Sequence, residues 1–483
     1  MHSQVCVSVT GVTMDELRRN RDGAEGADLV EVRLDGVDRP DAAGALEGRR
    51  RPALVTCRPV WEGGRFDGDE ESRRRILEEA VACGAEFVDV EARAAFAADL
   101  IRGRRGRGVV VSSHTFGSFP PDLEARWRAL QSWGAEVAKL AVEVKSLSEA
   151  LEVMSLANSG PAPESAAGRV LIAMGEAGVA SRILAGKLGN RWTYAGHKVA
   201  PGQLSPRRLL EEFRFRDLKP DAAVYGVVGN PVSHSRSPAM HNAGFAHLGV
   251  NAVYLPLQAC DADDFLRFAR TVNLAGASIT APFKVALMQA VDELEPLARR
   301  VGAINTIVVR DGRWHGANTD VHGFSAPLTG RIAVRGIRAT ILGAGGAARA
   351  VAVALADMGA SVTVSARRAD AGREIADLAG GGVGEFPPRP GSWDVLVNAI
   401  PAGEDAGERN PIEGAALDGE IVFDLVYAPE RTRLLMDARA AGCLTIGGLE
   451  MLVAQAERQF ELWTGQAPPA GLFQATAARG VDE

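Results

Sequence analysis

A lysine stands in the middle of a short apolar run, EVAKLAVEV, in which it is residue 139. The run has the alternation of a buried β-strand, and Val137, Lys139 and Ala141 share one of its two faces. Burying an ammonium group without a partner is costly, and a lysine in that position tends to lose its proton. Lys139 is therefore either a structural lysine that reaches solvent or pairs with a carboxylate, or a neutral amine that attacks a carbonyl group.

Other polar residues stand near the ends of similar runs along the first half of the chain. In chain order they are Ser8, Glu31, Arg33, Arg58, Glu62, His114, Arg182 and Gln203. Guanidinium groups bind carboxylates, an imidazole moves protons near neutral pH, and an amine forms a covalent bond to a carbonyl carbon. If these side chains meet, they predict an enzyme for a carbonyl compound that bears a carboxylate.

The elements that must position these residues are short runs rich in β-branched residues. They are VCVSVT, ADLVEVRLD, ALVTCRP, AEFVDVEA, GVVVSSHTF, EVAKLAVEV, RVLIAMGE and RWTYAG. The segments between them mix apolar spacing with charge, as surface helices do. Strands that alternate with helices in this number predict a (β/α)₈ barrel, with an open doubly wound sheet as the alternative. In such a barrel, chemistry collects at the carboxyl ends of the strands.

A second set of polar residues occupies loops of the other half of the chain. It consists of Ser235, Ser237, Thr280, Lys284, Asn305, Asn318 and Asp320. A lysine and an aspartate among hydroxyl and amide groups would suit a polyhydroxy acid, although spacing alone does not bring them together. The two serines could instead cap the helix that follows them.

A glycine-rich turn joins a predicted strand to a predicted helix in ATILGAGGAARAVAVALADMGASVTVSARR. Gly343, Gly345 and Gly346 would let backbone N–H groups approach a pyrophosphate at the start of the helix. A tight turn without a ligand is the alternative, but a second strand, SVTVSARR, follows in the right order and favours nucleotide binding. That strand ends in Arg367 and Arg368, which suit a 2′-phosphate, so the predicted cofactor is NADP(H).

Length and composition limit the class of protein. A chain of 483 residues suggests about three domains, and 46% hydrophobic with 24% charged residues is typical of a globular protein. A net charge of −7 argues against nucleic acid as a partner, and no apolar run is long enough to span a membrane. The five cysteines form no CxxC pair and the eight histidines no HExxH motif, so we expect no metal. The first strand begins almost at once, so we expect no targeting peptide and a cytoplasmic location.

The first half resembles the type I 3-dehydroquinate dehydratases over residues 1 to about 215. The matching motifs are VSVTG, EVRLD, TCRPVWEGG, VSSHTF, AKLAV, MGEAGVASR and APGQ, in the family's order. The resemblance implies that Lys139 forms a Schiff base with 3-dehydroquinate, that His114 takes the neighbouring proton and that Glu62 orients His114. It also implies substrate contacts by Ser8, Glu31, Arg33, Arg58, Arg182 and Gln203. Val199 replaces a serine usual in the family, and we expect this to affect affinity but not the reaction.

The second half resembles the shikimate dehydrogenases over about residues 222 to 480. The motifs NPVSHSRSP, TAPFK, GAINT, NTDVHG, GAGGAAR, FDLVY and GGLEMLVAQA match in order. The resemblance implies that Lys284, beside Asp320, passes a proton to the oxygen that is reduced. It implies substrate contacts by Ser235, Ser237, Thr280, Asn305, Tyr427 and Gln455. It places Gly343, Ala344, Gly345, Gly346, Ala347, Arg367, Arg368, Leu425 and Gly448 along the cofactor.

Three positions depart from the usual shikimate dehydrogenase pattern. Ser278 stands where many bacterial relatives have asparagine, and Ala366 and Ile400 replace an asparagine and a threonine. We expect these changes to leave the chemistry intact and to alter the details of cofactor contact.

The two resemblances together predict an α/β protein with a barrel followed by a two-domain reductase. We expect a dehydratase domain at residues 1–218, a substrate domain at 222–325 that residues 447–483 complete, and a Rossmann-type cofactor domain at 326–446. The expected activity is dehydration of 3-dehydroquinate followed by NADPH-dependent reduction to shikimate. The alternatives are an NAD-dependent quinate or shikimate dehydrogenase and a metabolite sensor without turnover. The sequence leaves the oligomeric state open.

Overall fold

The computed structural model describes residues 3–159, 168–197, 199–400 and 409–479 of the chain. Its strands form three sheets. The strands of the first sheet are Gln4–Val9 (β1), Leu29–Arg33 (β2), Ala53–Thr56 (β3), Phe87–Glu91 (β4), Val109–Thr115 (β5), Val137–Glu143 (β6), Gly168–Met174 (β7) and Trp192–Gly196 (β8). The helices between them are Met14–Asp22 (α1), Ala42–Leu46 (α2), Glu70–Ala82 (α3), Ala97–Gly103 (α4), Leu123–Gln131 (α5), Leu147–Ser155 (α6) and Val179–Ile183 (α7).

The first sheet is a nearly closed barrel. Its strands pair in parallel in the order β7-β6-β5-β4-β3-β2-β1-β8. A single bridge between Arg169 and Asn190 links the two ends of this order. The prediction of a (β/α)₈ barrel is confirmed, and the open-sheet alternative for this half is wrong.

Strand β6 has two buried faces, as its sequence indicates. Val137 and Ala141 belong to an apolar cluster that also contains Tyr194 and Trp192 of β8, which is the filling of the barrel interior. Leu140 belongs instead to the larger cluster that includes apolar residues of the surrounding helices. Lys139 lies on the inward side and is 3% exposed, so the barrel does bury the amine.

The second sheet contains Ala223–Gly229 (β9), Ala252–Gln258 (β10), Gly276–Ile279 (β11), Glu293–Leu294 (β12), Thr306–Arg310 (β13) and Arg313–Ala317 (β14). Its order is β10-β9-β11-β13-β14-β12, and it is mixed because β13 runs antiparallel to both β11 and β14. Its helices are Ser237–Leu248 (α8), Ala262–Thr271 (α9), Pro296–Val301 (α10) and Asp320–Leu328 (α11). We refer to this sheet and its helices as the substrate unit.

The third sheet, with its helices, is referred to as the cofactor unit. Its strands are Arg338–Leu342 (β15), Ser361–Ser365 (β16), Gly382–Gly384 (β17), Val395–Asn398 (β18), Ile421–Asp424 (β19) and Leu444–Gly447 (β20). All pairs are parallel, in the order β17-β16-β15-β18-β19-β20. This is the Rossmann strand order, whose reversal beside the first strand creates a ligand-binding crevice. The helices of the unit are Gly346–Asp357 (α12), Ala369–Leu378 (α13) and Arg433–Ala440 (α14).

The chain then returns to the substrate unit. Helix Gly448–Thr464 (α15) packs against α11, and helix Leu472–Ala478 (α16) packs against α8. Shorter helical turns cover Leu34–Gly36, Val60–Glu62, Leu156–Asn158, Glu176–Gly178, Ala286–Ala290 and, with π-helical hydrogen bonding, Arg208–Glu212. Across the residues that the structure describes, no helix is long and apolar enough to cross a bilayer.

Candidate active sites

Lys139 meets two carboxylates inside the barrel. Its Nζ donates a hydrogen bond to Asp89 Oδ2 at 3.0 Å and lies 3.6 Å from Glu31 Oε1. The same nitrogen lies 4.3 Å from the centre of the Tyr194 ring, which gives it a cation–π contact. The structure therefore shows Lys139 as a carboxylate-paired lysine. Its role as a nucleophile stays a prediction. The contacts with Asp89, Glu31 and Tyr194 would support that role by holding the side chain in one place.

Glu31 links the lysine to the first strand of the barrel. Ser8 Oγ donates to Glu31 Oε2 at 2.6 Å. Burial raises the pKa of the Glu31 carboxyl, but the positive charges of Lys139 and Arg33 outweigh it and leave the pKa below its usual value. Arg33 itself is bonded to both carboxylate oxygens of Asp35, each at 2.8 Å. Glu31 is thus a fixed anion beside the amine.

Arg58 is the centre of a buried ionic network. Its Nη1 donates to Glu91 Oε1 at 2.6 Å and to Ser112 Oγ at 2.8 Å, and its Nη2 donates to Asp89 Oδ2 at 3.0 Å. Arg73, which is fully buried on α3, forms an ion pair with Glu91 from the other side. Arg58 was predicted to contact substrate directly, but the structure gives its guanidinium two acidic partners. That role stays a prediction, and in the structure Arg58 anchors Asp89 next to Lys139.

His114 and Glu62 form the predicted pair. Glu62 Oε1 lies 3.3 Å from His114 Nδ1 and accepts a hydrogen bond from the His114 backbone N–H at 2.8 Å. Burial raises the pKa of the Glu62 carboxyl to about 7. Burial, together with the positive charges of Arg58 and Lys139, holds the pKa of the His114 imidazole well below its usual range. The imidazole is therefore uncharged at neutral pH and able to accept a proton.

Arg182 differs from Arg33 and Arg58 because it pairs with no acidic side chain among the described residues. It is 2% exposed, its Nη2 donates to the carbonyl oxygen of Pro201 at 3.1 Å, and its Nε has no hydrogen-bond partner within the described chain. No carboxylate pairs with it among the described residues, and burial lowers the pKa of the guanidinium to about 10. A buried cation without a counter-ion is costly. A substrate carboxylate would supply that counter-ion.

Gln203 joins the same mouth of the barrel from the segment after β8. Its Nε2 lies 3.5 Å from Ser8 Oγ, and its Oε1 accepts a hydrogen bond from the backbone N–H of Val199 at 3.2 Å. The position where the family usually has serine thus contacts Gln203 through its backbone. The structure therefore brings together the residues predicted from the first half, with the difference that two of the three arginines already have acidic partners.

The second site is built around Lys284 and Asp320. Lys284 Nζ donates to Asp320 Oδ2 at 2.6 Å, and Asn305 Nδ2 donates to Asp320 Oδ1 at 2.8 Å. Asp320 is the first residue of α11, and its backbone N–H donates to Asn318 Oδ1 at 3.1 Å. Asn305 Nδ2 also donates to Gln455 Oε1 of α15 at 3.4 Å. Four of the predicted residues are thus connected, and Asn318 orients the start of the helix that carries Asp320.

The remaining predicted contacts line the neighbouring loops. Ser235 Oγ accepts a hydrogen bond from the backbone N–H of Ser237 at 3.3 Å, whereas the N-cap residue of α8 is Arg236 and its side chain caps no N–H group. A Cβ at Gly229 would lie 2.3 Å from Thr280 Cγ2, so the glycine leaves room for that threonine after β11. Tyr427 packs on the apolar cluster formed by α8 and α15, and burial raises the pKa of its phenol. Their contacts with substrate stay predictions.

Ser278 belongs to a buried chain of hydrogen bonds. Its hydroxyl accepts from Tyr254 Oη at 2.5 Å and donates to Gln459 Oε1 at 2.7 Å. Gln459 Nε2 in turn donates to the carbonyl oxygen of Asn305 at 3.1 Å. The serine that departs from the usual pattern is therefore part of the support for Asn305. Tyr254 and Gln459 carry no distinguishing signal in the sequence, because each stands in an ordinary apolar strand or helix.

The glycine turn has the backbone that a pyrophosphate site needs. Gly343 has a φ of +101°, a conformation that favours glycine, and residues 343–347 are all half-buried. No side chain caps the first turn of α12, so its N–H groups are available to an anion. A Cβ at Gly346 would lie 3.3 Å from Lys284 Cδ. The cofactor turn thus lies directly against the lysine of the substrate unit, and its residues fit a dinucleotide.

The other predicted cofactor residues lie at the ends of neighbouring strands. Arg367 and Arg368 follow β16 by two and three residues, are exposed, and form no ion pair within the described residues. Leu425 follows β19, and a Cβ at Gly448 would lie 2.2 Å from its carbonyl oxygen. Both exposed guanidinium groups are therefore available to a phosphate, and the close packing at Gly448 requires glycine.

Comparison with known proteins decides the family. The chain is 34% identical over 518 aligned positions to the bifunctional 3-dehydroquinate dehydratase/shikimate dehydrogenase, chloroplastic, of Arabidopsis thaliana, covering 98% of this chain and 83% of that protein. The chain belongs to this bifunctional family. This match confirms the two resemblances that the motifs indicated, and it confirms that the dehydratase half precedes the reductase half.

Further matches agree for each half of this bifunctional chain. Residues 5–220 match the model described as type I 3-dehydroquinase. Residues 227–307 match the shikimate dehydrogenase substrate binding domain, and residues 448–477 match the shikimate 5′-dehydrogenase C-terminal domain. The shikimate dehydrogenase (NADP(+)) of Halorubrum lacusprofundi is 42% identical over 266 positions, covering 52% of this chain and 97% of its own.

A solved structure matches the reductase half. The crystal structure of shikimate 5-dehydrogenase from Thermus thermophilus in complex with NADP(H) and shikimate has a TM-score of 0.50 and 34% identity. It covers 54% of this chain and 100% of the Thermus chain. The second half of this chain therefore corresponds to the full length of the Thermus enzyme.

Proposed function

We propose that the chain catalyses two successive reactions. It dehydrates 3-dehydroquinate to 3-dehydroshikimate in the barrel and reduces 3-dehydroshikimate to shikimate with NADPH in the second half. The observation that carries this proposal is that one chain holds two separate proton-handling sites. One contains Lys139 beside the uncharged His114, and the other contains the Lys284–Asp320 pair against a glycine turn.

In the first reaction the amine of Lys139 attacks the ketone carbon of the substrate. Lys139 is paired with Asp89, and the proton that leaves Nζ for the attack ends in the water that the adduct then loses. The adduct loses water to give an iminium, which withdraws electrons and acidifies the neighbouring C–H bond. His114 takes that proton and returns it to the hydroxyl on the next carbon, which leaves as water. Addition of water to the iminium then releases 3-dehydroshikimate and restores the amine.

Other residues of the barrel hold the substrate and tune the proton transfer. The buried guanidinium of Arg182 binds the carboxylate, since no acidic partner competes for it in the described chain. Glu62 holds the His114 ring through Nδ1, which leaves Nε2 for the reacting proton. Ser8, Glu31 and Gln203 contact the hydroxyls from the neighbouring strand ends.

In the second reaction Lys284 donates the proton. Bound NADPH supplies a hydride to the carbonyl carbon of 3-dehydroshikimate. Lys284 Nζ gives its proton to the carbonyl oxygen as that oxygen gains negative charge, and Asp320 keeps the ammonium oriented through the 2.6 Å hydrogen bond. Asn305 holds the other oxygen of Asp320 and so fixes the pair.

A coupled assay tests the proposed function. Purified chain supplied with 3-dehydroquinate and NADPH should consume NADPH and form shikimate, detected by chromatography. Supplying 3-dehydroshikimate in place of 3-dehydroquinate isolates the second step, and omitting NADPH should stop the sequence at 3-dehydroshikimate. Ligand binding without turnover in either step would contradict the proposal and favour a sensor.

The choice of NADPH over NADH rests on Arg367 and Arg368. If each guanidinium contributes about 1.5 kcal/mol through charge-assisted hydrogen bonds to the 2′-phosphate, removing both weakens NADPH binding by roughly a hundredfold or more. We expect the KM for NADPH to rise by that factor in Arg367→Ala/Arg368→Ala and the KM for NADH to stay nearly constant. Arg267→Ala, which removes an exposed charge from α9, is the control. Equal KM values for both cofactors in the unmodified chain would favour an NAD-dependent quinate-type enzyme instead.

We also propose the division of the chain into domains at 1–218, 222–325 with 447–483, and 326–446. The strand ranges of the three sheets and the matched family segments support these boundaries. A cytoplasmic location is proposed on the five cysteines, all of which are free thiols, as a reducing compartment allows. Cell fractionation that finds the chain in an organelle, as the name of the Arabidopsis relative states for that protein, would contradict it.

A further inference from the structure

The barrel and the substrate unit share one apolar core. A single cluster of buried residues contains Leu147 and Val153 of barrel helix α6 together with Phe265 and Phe268 of α9 in the substrate unit. Helices α6 and α9 pack against each other, and α7 of the barrel packs on the edge strand β10. Units that move independently usually meet through smaller and more polar surfaces. This contact resembles the inside of one domain.

One buried carboxylate connects the two units across this contact. Asp264 of α9 is 5% exposed, and its Oδ1 accepts a hydrogen bond from the backbone N–H of Ser148 at 2.7 Å. Its Oδ2 accepts from the backbone N–H of Leu147 at 3.0 Å and from that of Cys260 at 3.1 Å. Leu147 and Ser148 are the first two residues of α6, so the substrate unit supplies part of the cap of a barrel helix.

The same carboxylate stands at the start of its own helix. Asp264 is the third residue of α9, and its backbone N–H donates to the capping residue Asp261 at 2.8 Å. The amino ends of two helices therefore converge on one anion, and both helix dipoles favour a negative charge there. Burial raises the pKa of Asp264, but the hydrogen bonds from Ser148, Cys260 and Leu147 outweigh it and hold the pKa below its usual value.

The capped helix follows the strand of the reactive lysine. Strand β6, which carries Lys139, ends at Glu143, and only Val144, Lys145 and Ser146 separate it from α6. Ser146 caps the next free N–H of α6, that of Glu149, at 3.1 Å. The barrel thus satisfies one part of this helix start by itself and relies on Asp264 for the rest. A shift of α6 would pull directly on the carboxyl end of β6.

We propose that the reductase half is a structural part of the dehydratase. Asp264 fixes the turn between β6 and α6 from the neighbouring unit, and the barrel and the substrate unit unfold as one body. Asp264 acts as a positioning residue, since it touches neither the barrel interior nor the Lys284 site. This inference goes beyond the proposed function and rests on contacts alone.

Calorimetric unfolding of the full chain tests the proposal. We expect the barrel and the substrate unit to melt in one transition, and two resolved transitions of these units would overturn the proposal. In Asp264→Ala two backbone N–H groups of α6 lose their buried acceptor, and we expect Tm to fall by on the order of 5 °C. Asp264→Asn keeps one acceptor oxygen, so its Tm should fall by less than that of Asp264→Ala. This variant provides a second test if the alanine variant does not fold.

Asp263→Ala is the matched control. Asp263 precedes Asp264 in the same helical turn and is exposed, so its removal changes the net charge equally without touching α6. We expect its Tm to stay within about 1 °C of the unmodified chain. Equal shifts for Asp263→Ala and Asp264→Ala would overturn the inference. The unfolding measurement uses neither activity, so its outcome is independent of whether the proposed reactions occur.

The catalytic readout separates positioning from general stability. At a temperature where Asp264→Ala is fully folded, we expect kcat for dehydration to fall severalfold while kcat for reduction changes less, although the substituted residue belongs to the reductase half. If kcat for dehydration stays unchanged while Tm falls, Asp264 only stabilises the fold, and this outcome would contradict its positioning role.

Discussion

Borohydride added together with 3-dehydroquinate is expected to attach the substrate covalently to Lys139. The barrel holds this amine among apolar neighbours, with Asp89 and Glu31 as its anionic partners. Reduction of the iminium converts a transient bond into a stable amine, so the mass of the adduct should map to the peptide that contains Lys139. In Lys139→Ala the adduct should disappear, and dehydration should slow by on the order of 10⁴-fold or more, as for removal of other covalent nucleophiles.

Two observations on the same molecules control for folding. Reduction of 3-dehydroshikimate should persist in Lys139→Ala, because Lys284 and Asp320 lie in a different unit. Lys145→Ala removes an exposed lysine just beyond the same strand and should leave the adduct unchanged. An adduct that survives Lys139→Ala, or no adduct at all during turnover, would remove the Schiff-base mechanism.

Replacement of Lys284 should have the largest effect on the second reaction. The ammonium group of Lys284 is the proposed proton donor to the substrate oxygen, and its 2.6 Å hydrogen bond to Asp320 Oδ2 fixes the orientation of the lysine side chain. Because the carbonyl oxygen gains negative charge as hydride arrives, loss of the donor should lower kcat for reduction by about 10²-fold or more in Lys284→Ala. Steady-state rates with saturating NADPH and 3-dehydroshikimate measure this.

The contact with Gly346 makes a second measurement necessary. Lys284 lies against the cofactor turn, so its truncation could also change NADPH affinity. A fall in kcat with a nearly constant KM for NADPH assigns the effect to proton transfer. Dehydration should be unaffected in the same variant. Near-normal kcat for reduction would remove Lys284 from the catalytic residues.

Much of the barrel and its site could be predicted from sequence, because local patterns encode it. The run around Lys139 has apolar residues on both faces of a strand, and its recurrence among similar short β-branched runs favours a buried strand. His114 and Arg58 each follow a β-branched run, and parallel strands of a barrel place such ends together. The same reasoning identified Gly343 and Arg367, since a strand–turn–helix pattern is continuous in the chain.

The acidic network of the barrel could not be predicted in this way. Asp89 and Glu91 alternate with apolar residues in EFVDVE, a pattern that describes an ordinary half-exposed strand. Their burial follows only from closure of the barrel, which turns that face inward towards Arg58 and Lys139. The available signal was that two acids stand two residues apart in a predicted strand of the same barrel as the cations Arg58 and Lys139.

Contacts between distant segments were also beyond sequence reasoning. Asp264 stands in the first turn of α9, where acidic residues are common, and nothing near it in the chain indicates the N–H groups of Leu147 and Ser148. Gln459 likewise belongs to an amphipathic helix, and its bond to the carbonyl oxygen of Asn305 joins residues far apart in sequence. Such contacts depend on how the units pack.

The path of the chain between the two reductase units has a mechanical consequence. The chain leaves the substrate unit after α11 and returns to it at α15, and these two helices pack side by side. Because both connections cross at one place, a rotation of the cofactor unit about that place disturbs them least. A translation of the cofactor unit relative to the substrate unit would strain both connections. The ion pair between Arg331, just beyond α11, and Glu450, in the first turn of α15, lies where these two connections meet. Lys284 and Asp320 both belong to the substrate unit, so a rotation of the cofactor unit about this place would leave their hydrogen bond aligned.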